Sequence, residues 1–328
     1  MRAIVAGHIC LDFTPRLPAG TDIRPGTLRE IGPMAVSAGG CVYNTGSAMA
    51  ELGVDVRLAA EIGDDVLGDL LESQLTAEHL HVDLLRSQTH ATSFSIVVER
   101  PGEDRSFWHH VGACGDFDGS AVDLSEADVL HLGYPSLLPA LSADGGRALT
   151  ALLRRARAAG LVTSVDLAVV DDSSSHTDWP ALLRQVCALT DVLTPSIDDL
   201  QSAFGSAETA GPETVVERAE WAIAQGAAVV ALSAGARGSY LAVADHARLD
   251  AAPDLLSRHA PHWSGYRGWI AAPPVGDVVT TNGAGDAHSG GFLAALMRGH
   301  DPLTAARYAA EAARARIQGL PIRESIPL

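Results

Sequence analysis

One segment of the chain reads Val278-Val279-Thr280-Thr281-Asn282-Gly283-Ala284-Gly285-Asp286-Ala287-His288-Ser289-Gly290-Gly291-Phe292-Leu293. Its β-branched start, its run of small residues and its apolar continuation predict a strand, a tight turn and a helix that extends to Met297. Small residues at such a turn leave backbone N–H groups free to face an anion, and the helix dipole adds positive potential there. The segment therefore predicts an anion site at a strand-to-helix junction.

Asp286 is the one carboxylate in this turn. Its position suits a base that takes a proton from a hydroxyl group while that hydroxyl attacks a phosphoryl group. The alternative is a first-turn residue favoured by the helix dipole, because helices commonly begin with Asp. The spacing alone does not decide between these two interpretations.

The composition is that of a globular chain with an acidic surface. The 328 residues are 47% hydrophobic and 19% charged, which suffices for one large α/β domain or two smaller ones. A net charge of −17 argues against a nucleic-acid partner, although a local group of N–H donors can still hold an anionic nucleotide.

The cysteines and the apolar runs bear on the cell compartment. Cys10, Cys41, Cys114 and Cys187 are far apart in the sequence, which argues against a zinc knuckle or a disulfide framework and for a reducing compartment. Residues 1–8 are typical of a first strand rather than a signal peptide, and no apolar run approaches the roughly 20 residues of a membrane span. We therefore expect a cytoplasmic protein with no membrane partner.

Strands and helices alternate along most of the chain. Strands are predicted at 4–9, 54–62, 129–132, 161–166, 192–194 and 228–233, and helices at 45–52, 63–75, 145–159, 181–189, 197–204 and 213–225. This alternation predicts a parallel sheet with helices on both faces.

Two pieces, 12–33 and 89–111, do not follow this alternation. In the second, strands are predicted at 91–98 and 106–111, joined by a hairpin connection at 100–104. Both pieces leave from the carboxyl ends of core strands, where α/β sheets bind ligands. We expect them to pair into a small β-sheet lid over a core formed by residues 1–11, 34–88 and 112–328.

Several common catalytic motifs are missing from the sequence. There is no G-x-x-x-x-G-K-[ST] P-loop, and Gly283-x-Gly285 lacks the third glycine of a dinucleotide fingerprint. H-E-x-x-H and G-x-S-x-G are also missing. Most familiar hydrolase and dehydrogenase functions are thereby disfavoured.

Gly39, Gly40 and Asn44 are candidates for a sugar site. A glycine pair lets the backbone approach a ligand, and an amide suits sugar hydroxyls; the alternative is a glycine turn with an Asn cap. Asp12, after the first strand, could accept hydrogen bonds from paired hydroxyls, or it could be a turn residue before Pro15.

The turn Ser233-Ala234-Gly235-Ala236-Arg237-Gly238 joins two predicted strands. It could hold nucleotide phosphates through its N–H groups, or it could be only a hairpin. Arg105 could reach a substrate or a phosphate, although a surface position is commoner for arginine. His109, His110 and His131 lack the spacing of metal ligands.

Taken together, these segments resemble the ribokinase-like (PfkB) family of carbohydrate and nucleoside kinases, in the family's order and over nearly the whole chain. The matching elements are Asp12, Gly39-Gly40-Cys41-Val42-Tyr43-Asn44, Leu52-Gly53, Gly63-Asp64-Asp65-Val66-Leu67-Gly68, Gly112-Ala113, Pro195-Ser196-Ile197-Asp198-Asp199, the turn 233–238 and Gly283-Ala284-Gly285-Asp286. The resemblance implies a three-layer α/β/α fold with a mostly parallel central sheet and a small β-sheet lid.

The resemblance also implies ATP-dependent phosphorylation of a primary hydroxyl of a sugar. Asp286 would deprotonate that hydroxyl, and the N–H groups of Gly283, Ala284 and Gly285 would stabilise the transferring phosphoryl group. The sugar would be held by Asp12, Gly39, Gly40, Asn44 and Arg105. The nucleotide would be held by Ser196, Asp199, Ser233, Gly235, Gly238 and Asn282, with Mg²⁺ bridging the phosphates and Asp199 reaching it through water.

The chain departs from the family at several positions. Thr280-Thr281-Asn282 stands where the family often has Asp-Thr-Thr, which helps to hold a monovalent cation, so a requirement for K⁺ is left open. Ser196 and Asp199 replace Asn and Glu, which shortens the reach toward magnesium. Cys41 replaces a sugar-binding Lys of ribokinases, so ribose is not favoured. The long segment 257–274 either borders the adenine pocket or is a packed surface loop.

A sugar kinase is the function that these observations favour. A nucleoside kinase is the alternative, because Phe94, Phe107 and Trp108 in the predicted lid could stack on a base. A non-catalytic sugar-binding homologue is the third, and the retention of Asp286 with its glycine turn opposes it. An uncovered lid sheet would also favour a homodimer.

Overall fold

In a computed structural model, the chain forms a nine-stranded sheet, a separate four-stranded sheet and surrounding helices. The structure describes residues 1–18, 21, 25–99, 105–170, 177–206 and 210–326. The strands are β1 (Arg2–Gly7), β2 (Cys10–Pro15), β3 (Met34–Gly39), β4 (Asp55–Gly63), β5 (His81–Ser87), β6 (Phe94–Val98), β7 (Ser106–His110), β8 (Val129–Gly133), β9 (Val162–Asp166), β10 (Val192–Leu193), β11 (Val229–Ser233), β12 (Ser239–Val243) and β13 (Arg267–Ile270). The helices are α1 (Gly40–Glu51), α2 (Val66–Ala77), α3 (Pro139–Ala158), α4 (Trp179–Leu189), α5 (Ile197–Ser202), α6 (Pro212–Ala224), α7 (His246–Asp250), α8 (Asp254–Ser257), α9 (Ala260–Trp263), α10 (Ala284–Met297), α11 (Pro302–Ile317) and α12 (Ile322–Ser325).

The nine-stranded sheet forms the centre of the fold, in the order β13-β12-β11-β10-β9-β8-β1-β4-β5. Strand β1 pairs in parallel with both β4 and β8. Among the described residues, the antiparallel pairs of this sheet are β11 with β12 and β12 with the edge strand β13. Every residue of β8 and β9 is buried. Strands buried on both faces need helices above and below them, as the apolar runs of the sequence indicate. The expected α/β fold with a mostly parallel sheet is confirmed.

Helix α10 carries Asp286 and is buried from that residue to Met297. Two glycines allow this burial. A Cβ on Gly290 would lie 2.9 Å from Cβ of Ala48 on α1, and a Cβ on Gly291 would lie 2.8 Å from Cβ of Ala312 on α11. Neither position has room for a side chain, because the neighbouring helices approach so closely. This close packing fixes the place of the amino end of α10.

The four-stranded sheet, called the small sheet below, has the order β3-β2-β6-β7. Its antiparallel register places Cys10 opposite Gly39 and Asp12 opposite Ser37. Residues 10–11 and 34–39 therefore belong to this sheet, whereas the sequence analysis assigned them to the core. The reason is local: two residues, His8 and Ile9, separate the end of β1 from the start of β2, and Cys10 already pairs with β3. The expected hairpin connection at 100–104 lies outside the described residues.

Two expectations about local structure are wrong. Residues 278–281 form no strand; Val278 and Val279 are 63% and 65% exposed, and the N–H of Val279 donates to the carbonyl oxygen of Ile317 at the end of α11. β-branched residues form a strand where a partner strand is available, and the described residues offer none here. The segment 257–274 is more than a loop, because it contains α9 and the edge strand β13.

Among the described residues, no helix combines the length and the apolar character that crossing a bilayer requires. The four cysteines are all buried free thiols.

Candidate active site

The amino-terminal turn of α10, here called the glycine turn (Gly283–Gly285), has an open side. Gly283 caps the helix in the left-handed region, with φ 74° and ψ 11°. A Cβ on Gly283 would lie 3.2 Å from Cγ of Asn44 and 3.4 Å from Nε of Arg316, so a side chain would have to displace these groups. Around Gly285, by contrast, nothing outside its own segment lies within 4 Å of such a Cβ. The turn can therefore receive an anion at the positive end of the helix.

Asp286 lies just inside this turn, is 2% exposed, and is held by three side chains. The Tyr134 hydroxyl donates to Oδ1 over 2.9 Å, Asn44 Nδ2 donates to Oδ2 over 3.0 Å, and Thr45 Oγ1 donates to Oδ1 over 3.4 Å. Burial raises the pKa of Asp286. The hydrogen bonds from Tyr134 and Asn44 and the charge of Arg316 offset part of this rise. A raised pKa brings a carboxyl group nearer to the range in which a general base works at neutral pH.

Asp12 lies on β2 and faces the segment that precedes the glycine turn. Asn282 Nδ2 donates to Asp12 Oδ2 over 3.0 Å, and the Cys10 thiol donates to Oδ1 over 3.4 Å. A Cβ on Gly39 would lie 2.5 Å from the Asp12 carboxyl group, so the glycine makes room for it. Burial raises the pKa of Asp12 and the Asn282 bond lowers it in part. Asp12 is thus a strand residue rather than a turn residue, and Asn282, expected near the nucleotide, bonds to it instead.

Asn44 is an interior residue of α1 rather than a helix cap, because the helix begins at Gly40 after Gly39. Its Nδ2 donates to Asp286 while its Oδ1 accepts from Arg316 Nη2 over 3.4 Å. Gly40 has φ 80°, and a Cβ there would lie 2.7 Å from Nδ1 of His8. Asn44 therefore links Asp286 to Arg316, and Gly40 allows the start of α1 to approach His8.

Residues that directly follow β6 and directly precede β7 also contact the segment before the glycine turn. Arg105 Nη1 donates to Thr281 Oγ1, and Thr280 Oγ1 donates to Glu99 Oε1 over 3.1 Å. The Arg105 guanidinium also lies 5.5 Å from the centre of the Phe107 ring. The cation of Arg105, directly before β7, thus lies beside Thr281.

Ser196, Asp199 and Ser233 lie together at the carboxyl ends of β10 and β11. Ser196 and Ser233 form an isolated parallel bridge, and Ser196 Oγ donates to Asp199 Oδ2 over 2.5 Å. Burial raises the pKa of Asp199 to about 6, and the negative charges of Asp198 and Asp286 add to the rise. Ser196 therefore holds the one carboxyl group of this cluster in place.

The turn 233–238 joins β11 to β12, which pair antiparallel, so it is a hairpin in its topology. Gly235 and Gly238 both have positive φ, 58° and 93°. A Cβ on Gly238 would lie 2.0 Å from the carbonyl oxygen of Ile270, whereas none of the surrounding atoms lies within 4 Å of one on Gly235. Gly238 is therefore explained by packing against β13, and Gly235 is the open position of the turn.

Asp166 is a buried carboxyl group that the sequence analysis did not single out. It ends β9, and Ser289 Oγ of α10 donates to its Oδ2 over 3.0 Å. Burial raises the pKa of Asp166 well above its usual range, and the charges of Asp286 and Asp199 raise it further. Asp166 is therefore a further buried carboxyl group that contacts α10, through Ser289.

The sequence analysis also did not identify three residues around Asp286 and Asn44, namely Tyr134, Thr45 and Arg316. The available signal for Tyr134 was its place directly after β8, at the carboxyl end of a parallel strand, where ligand sites occur. Thr45 follows Asn44, but nothing in the sequence pattern distinguishes it. Arg316 lies near the end of α11, and only the packing of α11 against α10 brings it to the turn.

Within the ranges that the structure describes, no group of three or more His, Cys, Asp and Glu side chains could hold a metal ion. His131 Nδ1 bonds with Ser164 Oγ over 2.9 Å in the core, and burial lowers the pKa of His131 to about 3. His131 is thus a packed core residue.

Comparisons with known proteins agree on one family. The model of the pfkB family of carbohydrate kinases matches residues 2–327. The chain is 26% identical over 316 residues to 1-phosphofructokinase from Rhodobacter capsulatus, covering 94% of this chain and 87% of that protein. It is 27% identical over 303 residues to fructokinase from Rhizobium leguminosarum bv. trifolii, covering 89% and 79%. The fold is similar to that of Arabidopsis thaliana ribokinase complexed with ribose and ATP, with a TM-score of 0.73 at 18% identity over 99% of this chain and 95% of that one.

Proposed function

The chain belongs to the pfkB family of carbohydrate kinases, and on this premise we propose that it transfers the γ-phosphoryl group of ATP to a primary hydroxyl of a sugar, with Asp286 as the base. The observation that carries the proposal is the buried carboxylate of Asp286 directly inside the glycine turn. A base next to an anion-binding turn supplies two elements that phosphoryl transfer to a hydroxyl requires.

In the proposed reaction the acceptor hydroxyl gives its proton to Asp286 while its oxygen forms a bond to the γ-phosphorus. The bond between that phosphorus and the oxygen that bridges it to the β-phosphorus breaks, and ADP leaves. The N–H groups of Gly283, Ala284 and Gly285 stand at the positive end of α10, where they would stabilise the negative charge on the transferring group.

Asp12, Gly39, Gly40 and Asn44 form the proposed sugar side. The two oxygens of Asp12 can accept hydrogen bonds from neighbouring sugar hydroxyls, and Gly39 makes room for this carboxyl group. Arg105 would add a donor from the small sheet. We propose that the small sheet acts as a lid that covers the sugar and limits the access of water.

Ser196, Asp199, Ser233 and Gly235 form the proposed nucleotide side. Carboxylate and hydroxyl oxygens are ligands that Mg²⁺ prefers, and in nucleotide sites this ion usually takes one or two protein carboxylates together with phosphates and water. This donor set fits a magnesium ion held mainly by ATP, with Asp199 near its water. When bound, the ion would neutralise phosphate charge.

The proposal extends to a cytoplasmic homodimer that forms through the small sheet. Strand β7 is an edge strand, and Phe107 and Trp108 on it are 45% and 52% exposed. An exposed edge with aromatic side chains favours pairing with a second copy. Sedimentation of the wild-type chain and of a Trp108→Lys variant tests the assembly. The wild type should have the mass of a dimer and the variant that of a monomer, and a monomeric mass for both would contradict the proposal.

A sugar is favoured over a nucleoside as acceptor by the position of Phe94. Its ring lies 5.9 Å from that of Phe13 and 5.3 Å from that of His110, within the small sheet. Phe94 is therefore engaged in packing and is not a free platform for a base.

The function is tested by following ADP release from MgATP with a panel of ketohexoses, ketohexose phosphates, aldopentoses, sugar acids and nucleosides. The proposal expects fastest turnover with a sugar and one sugar phosphate formed per ADP. Fastest turnover with a nucleoside would contradict the proposal and indicate a nucleoside kinase. Tight sugar binding without turnover of any acceptor would indicate a non-catalytic homologue.

A further inference from the structure

Tyr134 has a backbone conformation that its residue type disfavours. It lies in the left-handed region with φ 61° and ψ 49°, and it precedes Pro135, which itself favours an extended residue before it. Its N–H donates to the carbonyl oxygen of Asp166 over 3.2 Å, and its carbonyl oxygen accepts from Leu137 over 2.9 Å. Such conformations persist where surrounding contacts hold them, and they often lie at functional sites.

The side chain of Tyr134 points at the proposed base. Its hydroxyl donates to Asp286 Oδ1 over 2.9 Å, and its ring stacks on that of His8 with centres 6.0 Å apart. Burial and the charge of Asp286 raise the pKa of Tyr134 well above its usual range, so the hydroxyl keeps its proton and remains a donor. The preceding Gly133 allows close approach, because a Cβ there would lie 2.0 Å from Sγ of Cys41.

The hydrogen bonds divide unequally between the two oxygens of Asp286. Oδ1 accepts from both Tyr134 and Thr45, whereas Oδ2 accepts from Asn44 alone among the described side chains. A carboxylate oxygen offers about two lone-pair sites. Oδ2 is therefore the oxygen that keeps a lone pair for a further donor.

We propose that Tyr134 is a positioning residue for the phosphoryl transfer: its hydroxyl fixes the Asp286 carboxylate so that Oδ2 takes the proton of the acceptor. This inference rests on the proposed function of Asp286. The strained backbone of Tyr134 is what carries the hydroxyl to Oδ1, and the stacked His8 ring limits its movement. Tyr134 does not exchange the proton itself.

The test compares Tyr134→Phe with Tyr43→Phe. Tyr43 is a matched control, because its hydroxyl also donates to a carboxylate, Glu78 Oε1 over 2.9 Å, but that pair does not contact Asp286. The measurements are kcat, KM and the pH profile of kcat/KM with MgATP and the best sugar of the panel. An NMR titration of ¹³C-labelled aspartate carboxyls gives the pKa of Asp286 without any acceptor.

For Tyr134→Phe we expect kcat to fall about tenfold, because a hydrogen bond to a charged group is lost, while KM for the sugar changes less than about twofold. The acid limb of the pH profile and the Asp286 titration should both move to higher pH, since a donor to the charged form is gone. Tyr43→Phe should leave all of these unchanged. Wild-type kcat with an unmoved titration in Tyr134→Phe would overturn the proposal, as would a lowered Tm with neither effect.

If Tyr134→Phe does not fold, 3-fluorotyrosine at position 134 keeps the ring and makes the hydroxyl a stronger donor. The Asp286 titration should then move to lower pH, and an unmoved titration would overturn the proposal. A moved Asp286 titration in a protein that phosphorylates no member of the panel would support the contact but reject the proposed function.

Discussion

Asn282 and Asp12 are joined by a hydrogen bond of 3.0 Å between Nδ2 and Oδ2, although they lie on different parts of the fold. Asn282 directly precedes the glycine turn, and Asp12 lies on β2 of the small sheet. The bond therefore ties the proposed lid to the turn that would hold the transferring phosphoryl group. Since we propose that Asp12 also binds sugar hydroxyls, occupation of the sugar side and the position of the turn are expected to depend on each other.

Asp12→Asn should mainly weaken sugar binding. The amide keeps the volume and one acceptor oxygen, but it is neutral and has an NH₂ donor in place of the other oxygen, so we expect KM for the sugar to rise at least about tenfold. The KM for ATP should change little, because Asp12 belongs to the proposed sugar side. The exposed Asp83→Asn is the matched control, and steady-state kinetics with both substrates varied measure the effect. Equal sugar KM values in the two variants would remove Asp12 from the sugar side.

Asp286→Asn should abolish most of the turnover without unfolding the protein. General-base assistance contributes about 10²–10⁴-fold, so kcat should fall within that range while calorimetry still detects ATP binding. The amide can place its oxygen toward Asn44 and its NH₂ toward Tyr134, whose hydroxyl can accept as well as donate. Because burial raises the pKa of Asp286, its ionised form destabilises the folded state at pH 7, and the Tm of the variant should not decrease. Wild-type turnover in this variant would rule out Asp286 as the base.

Gly283→Ala should damage both stability and turnover. Alanine with positive φ costs about 1–2 kcal/mol by itself. At Gly283 the methyl group would also press on Asn44 and Arg316, whereas at Gly160, with φ 82°, nothing lies within 4 Å. Urea unfolding should therefore show a larger loss for Gly283→Ala than for the control Gly160→Ala, and only the former should lower kcat. Equal losses with unchanged kcat would show that the crowding around Gly283 has no consequence.

The strand–helix alternation allowed the large sheet to be predicted, because parallel strands buried on both faces are nearly continuous apolar runs. The strand predicted at 278–281 does not form, because the predicted strands depend on a neighbouring strand and this segment has none among the described residues. A β-branched run indicates a strand only if a neighbour pairs with it, and pairing is a property of the whole fold. Residues 34–39 were not predicted as a strand, yet they form one because β2 is available as a partner. The short connection after β1 places β2 there.

The candidate site was predictable where the backbone itself carries the signal. Closely spaced glycines, as in the glycine turn and at positions 39–40, directly indicate an unusual backbone. The structure explains most of them by positive φ or close contact. Tyr134 and Arg316 carry no such local mark. They reach Asp286 and Asn44 through the arrangement of β8 and α11 around α10, which no short sequence window contains.

The final prediction concerns pH and Asp199. Burial raises its pKa to about 6 in the folded protein, so the carboxylate is charged above that pH and becomes neutral below it. If the charged form serves the nucleotide side, kcat/KM for MgATP should be level above about pH 7 and fall by up to about tenfold per pH unit below 6.

The unfolded chain has a lower pKa for Asp199, near 4, so this group adds stability as pH falls from 6 toward 4, and the stability is lost as pH rises. Asp199→Asn should lower kcat/KM and remove both pH effects. Asp198→Asn, at the exposed neighbour, should keep both effects but move them to lower pH, because the charge of Asp198 contributes to the raised pKa of Asp199. Both effects are measured by MgATP kinetics and by urea unfolding between about pH 4.5 and about pH 8, a range that extends from near the ordinary carboxyl pKa to above the raised one. An acid limb that persists unchanged in Asp199→Asn would assign that limb to another group, with Asp286 the next to be tested.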